Sequence, residues 1–254
     1  MKMRPFDAAL TLLASAVICG GVAVTAAPIW GSTGITSPAV APPSTADLAG
    51  TAPPTALFIG DSYTSGTDLA ENSYACRAAA RMGWTCALSG IPGTGYISGG
   101  PPNRFVVNEY IGETTSFSER IPELDARYDP DYVVLDGGRN DGFAPAEDVY
   151  EAMVHTLGEV RRTWPEATIV FVRPRTLADP SDTIGFDDAS MARLRDEPAA
   201  EGVLFVDPIH DGFAGTETSP ILLEDGLHPN SRGDRELSAA LVSALQSLGL
   251  SATP

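Results

Sequence analysis

The stretch Ala56-Leu57-Phe58-Ile59-Gly60-Asp61-Ser62-Tyr63-Thr64-Ser65-Gly66 decides the fold. Its short apolar run follows Pro53-Pro54 and stops at a polar turn, so it reads as a buried strand with a tight turn at its end. In open α/β sheets, ligands gather outside the carboxyl ends of the strands. Ser62 therefore stands where chemistry is usually done and is the candidate nucleophile. A serine there can also cap the next helix, and Gly-Asp-Ser alone does not choose between the two.

The same pattern returns downstream. Tyr132-Val133-Val134-Leu135 is an apolar run that breaks into Asp136-Gly137-Gly138-Arg139-Asn140-Asp141-Gly142. Between and beyond these runs, apolar spacing predicts helices over 68–82, 121–128, 146–162, 186–195 and 231–248, and further strands over 84–88, 168–172 and 203–206. Such alternation predicts a parallel sheet with right-handed crossovers and helices on both faces. After the second strand, Ser89-Gly90-Ile91-Pro92-Gly93-Thr94-Gly95-Tyr96 marks a place where backbone turns sharply or admits a close approach. Residues 97–119, with no helical period, are long for a connection and predict a functional loop or a small hairpin on the rim of the site.

Near the end of the chain, Leu222-Leu223-Glu224-Asp225-Gly226-Leu227-His228-Pro229-Asn230 places an acid and a histidine three apart in a turn. A base and its orienting carboxylate require that arrangement. Asp207-Pro208-Ile209-His210 has the same spacing and also follows a strand, so spacing cannot decide between them. His155 lies mid-helix among Met153, Val154 and Leu157 and is read as structural, and His210 as a loop residue near the site mouth.

The formal charge is −17, and the 16 basic residues form no cluster. Nucleic acid and anionic membrane surfaces are therefore poor partners. Residues 1–27 have a basic start, an apolar stretch and small residues at its end, which predicts an export segment, either cleaved after Val24-Thr25-Ala26 or retained as an anchor. That segment is the single expected membrane contact. Cys19 within it is read as apolar filler rather than a lipid attachment site. Residues 28–55, rich in Pro, Ser, Thr, Ala and Gly, read as a flexible tether, which leaves 56–254 as one domain. Cys76 and Cys86 form an even pair in an exported domain and predict a disulfide, the alternative being two buried thiols. No metal-ligand spacing occurs, and Gly93-Thr94-Gly95 lacks the helix and lysine of a phosphate cradle, so no cofactor or metal is expected.

Four blocks, in order, resemble the SGNH hydrolase superfamily, the GDSL-type esterases and lipases: Gly60-Asp61-Ser62, Gly93 in Ile91-Pro92-Gly93-Thr94-Gly95-Tyr96, Gly138-Arg139-Asn140-Asp141, and Asp225-Gly226-Leu227-His228-Pro229. The resemblance implies a three-layer α/β/α sandwich with a flavodoxin-like, parallel five-stranded sheet. It implies Ser62 as nucleophile, His228 as general base, Asp225 as its partner, and an oxyanion hole from the Ser62 amide, the Gly93 amide and the Asn140 side chain. The His-Pro flank ahead of the last helix selects His228 over His210, and the place of the block's glycine favours Gly93 over its rival Gly95. Tyr96 and Arg139 are candidate substrate contacts, although Arg139 is read first as a solvated or salt-bridged strand-end residue. Tyr63 stands where the family's common name has leucine, which changes the pocket floor. No G-x-S-x-G surrounds Ser62, so the site is not a nucleophile elbow.

The resulting expectation is an exported, monomeric serine esterase, secreted or held in the cell envelope, that cleaves short acyl esters, with O-acetyl groups on glycans as a candidate substrate, through an acyl-serine. An acyltransferase would use the same triad. A non-catalytic envelope-tethered binding module is the competing class, and the intact set of four blocks argues against it.

Overall fold

The computed structural model describes residues 52–179, 182–211 and 219–252. The expected export segment with Cys19, and the tether as far as Thr51, lie outside them. Five parallel strands form the sheet: β1 (Thr55–Gly60), β2 (Thr85–Gly90), β3 (Tyr132–Asp136), β4 (Thr168–Val172) and β5 (Leu204–Val206), in the order β2-β1-β3-β4-β5. Leu57 lies opposite Ala87 on one side and Val133 on the other. The strand begins at Thr55, the last residue of the expected tether, because the Thr55 amide donates to Asp131 Oδ2 at 2.7 Å.

Alternate strand residues feed two cores, as the two-residue period of a strand requires. Leu57, Ile59, Val133, Leu135, Ile169 and Phe171 face α3 (Phe117–Asp125), α4 (Ala146–Thr163) and α5 (Asp188–Arg195). Ala56, Phe58, Val134, Val170, Val172 and Val206 face α2 (Tyr74–Met82) and α6 (Ser231–Ser247). Both faces are covered, which is why the strands read as unbroken apolar runs. Each fully buried Leu, Ile, Val or Phe side chain contributes about 1.5 to 3 kcal/mol of transfer free energy. The architecture is the expected three-layer sandwich. Among the described residues, no helix is long and apolar enough to cross a membrane.

Helix starts depart from the sequence reading where a cap overrides the apolar period. The expected helix over 68–82 is divided at Ser73. Its backbone is extended, its hydroxyl donates to Ala70 O at 2.8 Å and accepts from the Cys76 amide at 3.3 Å, so α2 starts only at Tyr74. Ser116 and Glu119 form a capping box that starts α3 four residues before the expected Ile121. The Asp187 carboxylate caps α5 by accepting from the Ser190 amide at 2.8 Å. Ser89 and Gly90, read as turn, continue β2 beside Ile59 and Gly60.

Cys76 on α2 and Cys86 on β2 form a disulfide across a separation of 10 residues. A loop of that size is worth roughly 2 to 3 kcal/mol. Residues 105–114 make a small hairpin, with Val106 bridged to Glu113 and the Thr114 amide donating to Phe105 O at 2.8 Å.

Candidate active site

β1 has β2 on one side and β3 on the other, so the connections after β1 and β3 diverge and leave a crevice at the carboxyl ends of those strands. The Ser62 turn follows β1, the Gly93 loop follows β2, and Arg139-Asn140 follow β3. A cleft of about 350 Å³ opens there, lined by residues that include Ser62, Gly93, Asn140, Leu227 and His228. The structure thus brings together four elements that the sequence spreads from residue 62 to residue 228.

Ser62 opens α1 (Ser62–Ser65), whose N-cap is Asp61: the Asp61 carboxylate accepts from the Tyr63 amide at 2.9 Å. The cap is therefore the aspartate, and the Ser62 hydroxyl is left to face the cleft. Gly60 is required by the tightness of this turn, since a Cβ there would sit 2.0 Å from Thr64 Oγ1 and 2.5 Å from Asp136 O.

His228 is set by its own turn. Asp225 Oδ1 accepts from the Leu227 and His228 amides at 2.9 and 3.0 Å, and Asp225 Oδ2 lies 2.7 Å from His228 Nδ1. The hydrogen bond from the imidazole, followed by those from the two amides, holds the Asp225 carboxyl at about 2. A carboxylate at Nδ1 places the ring proton there and leaves Nε2 as the acceptor. No hydrogen bond joins Ser62 Oγ to His228 among the described residues; both line the cleft. Such bonds are often long before substrate binds.

The amide donors separate clearly. Gly93, at φ +76°, lines the cleft, and a Cβ on it would meet Phe105 Cζ of the hairpin at 2.8 Å. That contact puts the 97–119 segment on the rim of the site. The Gly95 amide instead donates to Ser98 O at 2.9 Å. Asn140 Nδ2 donates to Thr94 O at 2.9 Å, with Asp61 Oδ2 at 3.4 Å.

The two candidate substrate contacts separate: Tyr96 lies in the core and Arg139 at the cleft. Tyr96 is 3% exposed and packs on Phe117 and Phe171 in the core, because Asp141 turns the loop inward by accepting from the amides of Tyr96, Ile97 and Ser98 at 2.9, 3.0 and 2.7 Å. Burial nevertheless pushes the Asp141 carboxyl up. Arg139 borders the cleft, but its guanidinium is ion-paired to Asp61 and, at 2.8 Å, to Asp136, and its Nε donates to Arg175 O at 3.1 Å. The salt-bridged reading is the one observed. Burial pushes Asp61 up, while at Asp136 the Arg175 and Arg139 charges outweigh burial and hold the carboxyl at about 2.

His155 is exposed on α4, and His210, expected near the mouth, is not among the cleft residues. Sequence reasoning missed Thr176, which lines the cleft after β4, and buried Arg120. Arg120 donates to Gly60 O at 2.9 Å and Ser89 O at 2.7 Å and also bonds Thr94, tying the ends of β1 and β2 together. For Thr176 a signal existed, because β4 also ends its apolar run in a polar segment, Arg173-Pro174-Arg175-Thr176.

A doubly wound sandwich with a serine, a carboxylate-bound histidine and amide donors gathered at its strand ends defines a serine hydrolase of the α/β/α class. The chain belongs to the GDSL-like lipase/acylhydrolase family, which matches residues 58–236, and it is a serine hydrolase acting on ester bonds. No curated protein matches it significantly. Among solved structures it is similar to a carbohydrate acetylesterase from Sinorhizobium meliloti (18% identity, 77% of this chain and 99% of that one, TM-score 0.54). It is also similar to a psychrotrophic esterase from Pseudoalteromonas sp. (16% identity, 76% and 97%, TM-score 0.56). A family two carbohydrate esterase from Clostridium thermocellum, solved with cellohexaose, shares the fold as well (21% identity, 78% and 66%, TM-score 0.57).

Proposed function

We propose that Ser62 cleaves short acyl esters through an acyl-serine, with His228 as general base and Asp225 as its partner. The observation that carries this reading is the convergence of Ser62, Gly93, Asn140 and His228 on one cleft, with His228 Nδ1 held by Asp225. His228 Nε2 takes the Ser62 proton as Oγ bonds to the ester carbonyl carbon. The carbonyl oxygen becomes an oxyanion facing the Ser62 amide, the Gly93 amide and Asn140 Nδ2, whose long contact to Asp61 yields to the stronger acceptor. The imidazolium returns the proton to the leaving oxygen as the ester C–O bond breaks, and an alcohol departs. Water then repeats the sequence on the acyl-serine, restoring Ser62 and releasing the acid.

A cleft of about 350 Å³, crowded at Gly93 by Phe105, suits a small acyl group. The carbohydrate esterases among the structural neighbours support an O-acetylated glycan as the substrate class. The Cys76–Cys86 disulfide suits an oxidising compartment, in line with the export segment, and the enzyme works there as a monomer, secreted or held by residues 1–27. The test is hydrolysis of p-nitrophenyl esters of graded chain length beside acetate release from acetylated xylan. We expect kcat/KM to be highest for acetate and to vanish in Ser62→Ala. A preference for long chains overturns the short-acyl reading.

A further inference from the structure

Tyr63 replaces the leucine of the family's block, and its hydroxyl does what leucine cannot. The side chain is fully buried. Its Oη donates to Leu227 O at 2.9 Å and accepts from the Leu177 amide at 3.3 Å. The ring lies 3.8 Å beneath the Arg139 guanidinium carbon and edge-on to the His228 imidazole, with centroids 6.1 Å apart. Arg139 is itself fixed by Asp61 and Asp136, so the phenol is aimed from a rigid base.

The turn on the other end of that bond has few other ties. Leu223 N donates to His228 O at 2.8 Å, Gly226 N to Leu223 O at 3.0 Å and Asn230 N to Ile221 O at 2.8 Å, while the Asp225 carboxylate takes the Leu227 and His228 amides. All of these lie within the turn or its immediate flanks. Among the described residues, the Tyr63 hydroxyl makes the hydrogen bond that links residues 222–229 to the strand ends. Its acceptor is the carbonyl of the residue directly before His228.

We propose that Tyr63 is a positioning residue that holds the Asp225–His228 turn, and with it the imidazole, in register with Ser62. The proposal rests on the reading of Ser62 and His228 given above. Burial keeps the phenol protonated by pushing it above its ordinary value, so it remains a donor across the working range. Small misplacements of a base are expensive: about 1 Å can lower a rate by about 10²-fold.

The test is Tyr63→Phe, which keeps the ring and removes both hydroxyl bonds, with active sites counted by stoichiometric fluorophosphonate labelling. We expect kcat per labelled site to fall at least about tenfold with KM changed less than about twofold. Tyr63→Leu, which restores the family's residue, serves as the second variant and should show a loss at least as large. A residue that acts through the imidazole has nothing left to position once it is gone, so Tyr63→Phe added to His228→Ala should alter the residual rate less than about twofold. The proposal is overturned if Tyr63→Phe or Tyr63→Leu keeps kcat within twofold, or if the loss is the same with and without His228. Full turnover in Ser62→Ala would instead remove the reading on which it rests.

Discussion

Asp225–His228 and Asp207–His210 are two copies of one local device with different consequences. In each, the first carboxylate oxygen accepts the amides two and three residues on: 2.9 and 3.0 Å at Asp225, 3.1 and 3.3 Å at Asp207. The second oxygen separates them. At Asp225 it takes His228 Nδ1 at 2.7 Å, whereas at Asp207 it takes Nη1 of the buried Arg173 at 2.8 Å. With its own aspartate occupied, His210 turns its Nε2 to Asp188 at 3.1 Å. Sequence spacing therefore dictates an Asx-type turn, and the neighbour at the second oxygen dictates whether the histidine's Nδ1 is held by its own aspartate or its Nε2 turns to a surface ion pair. Asp188, Asp207 and His210 also come within 4.8 Å of one another, but Arg173 already supplies their cation.

The largest effect that could break this comparison is on turnover. His228→Ala should lower kcat by roughly 10³-fold or more, leaving what the oxyanion donors and positioning supply, while His210→Ala should change it less than about threefold. Steady-state kinetics of the two variants decide the matter, and the reverse result moves the triad to Asp207 and His210. Exchanging the acids should dissociate activity from stability. Asp225→Asn should cut kcat by at least about 10²-fold by losing the imidazole's tautomer, with little change in melting temperature. Asp207→Asn should leave kcat nearly intact yet destabilise by about 2 to 3 kcal/mol in denaturant melts, because Arg173 stays buried with only Asp188 left; a stripped buried charge costs about 3 to 5.

The smallest effect concerns pH. Hydrogen bonding to Asp188, followed by the charges of Asp207 and Asp188, raises His210 above its ordinary value. A histidine whose folded value is raised stabilises the fold fully below its unfolded value near ~6.5 and loses that contribution as pH rises through the folded value. Melting temperature should therefore decline slightly across that window in the native protein, and the decline should disappear in His210→Gln. Because the pair is exposed, the difference should be near the limit of detection.

Much of this fold was legible in the chain because β1, β3 and β4 are buried on both faces and so read as unbroken apolar runs. The turn residues Ser62, Asn140 and His228 were legible for a related reason: each follows or flanks a break from apolar to polar. What escaped was the network that depends on side chains reaching across the sheet. Tyr96 and Arg139 sit in loops that resemble binding loops, but Asp141 draws the first into the core, and Asp61 with Asp136 claims the second. Asp136 lies only three residues before Arg139, but Asp141 is 45 residues from Tyr96 and Asp61 is 78 from Arg139, so local spacing exposes neither of those two pairings. Helix starts slipped where Ser73, Ser116 and Asp187 caps outweighed the apolar period.

The most direct measurement is labelling with a fluorophosphonate followed by peptide mass mapping, in the native protein and in both histidine variants. We expect one adduct, on Ser62, formed at the native rate in His210→Ala and slowed by orders of magnitude in His228→Ala. An adduct on another residue, or labelling that survives His228→Ala and fails in His210→Ala, contradicts that expectation.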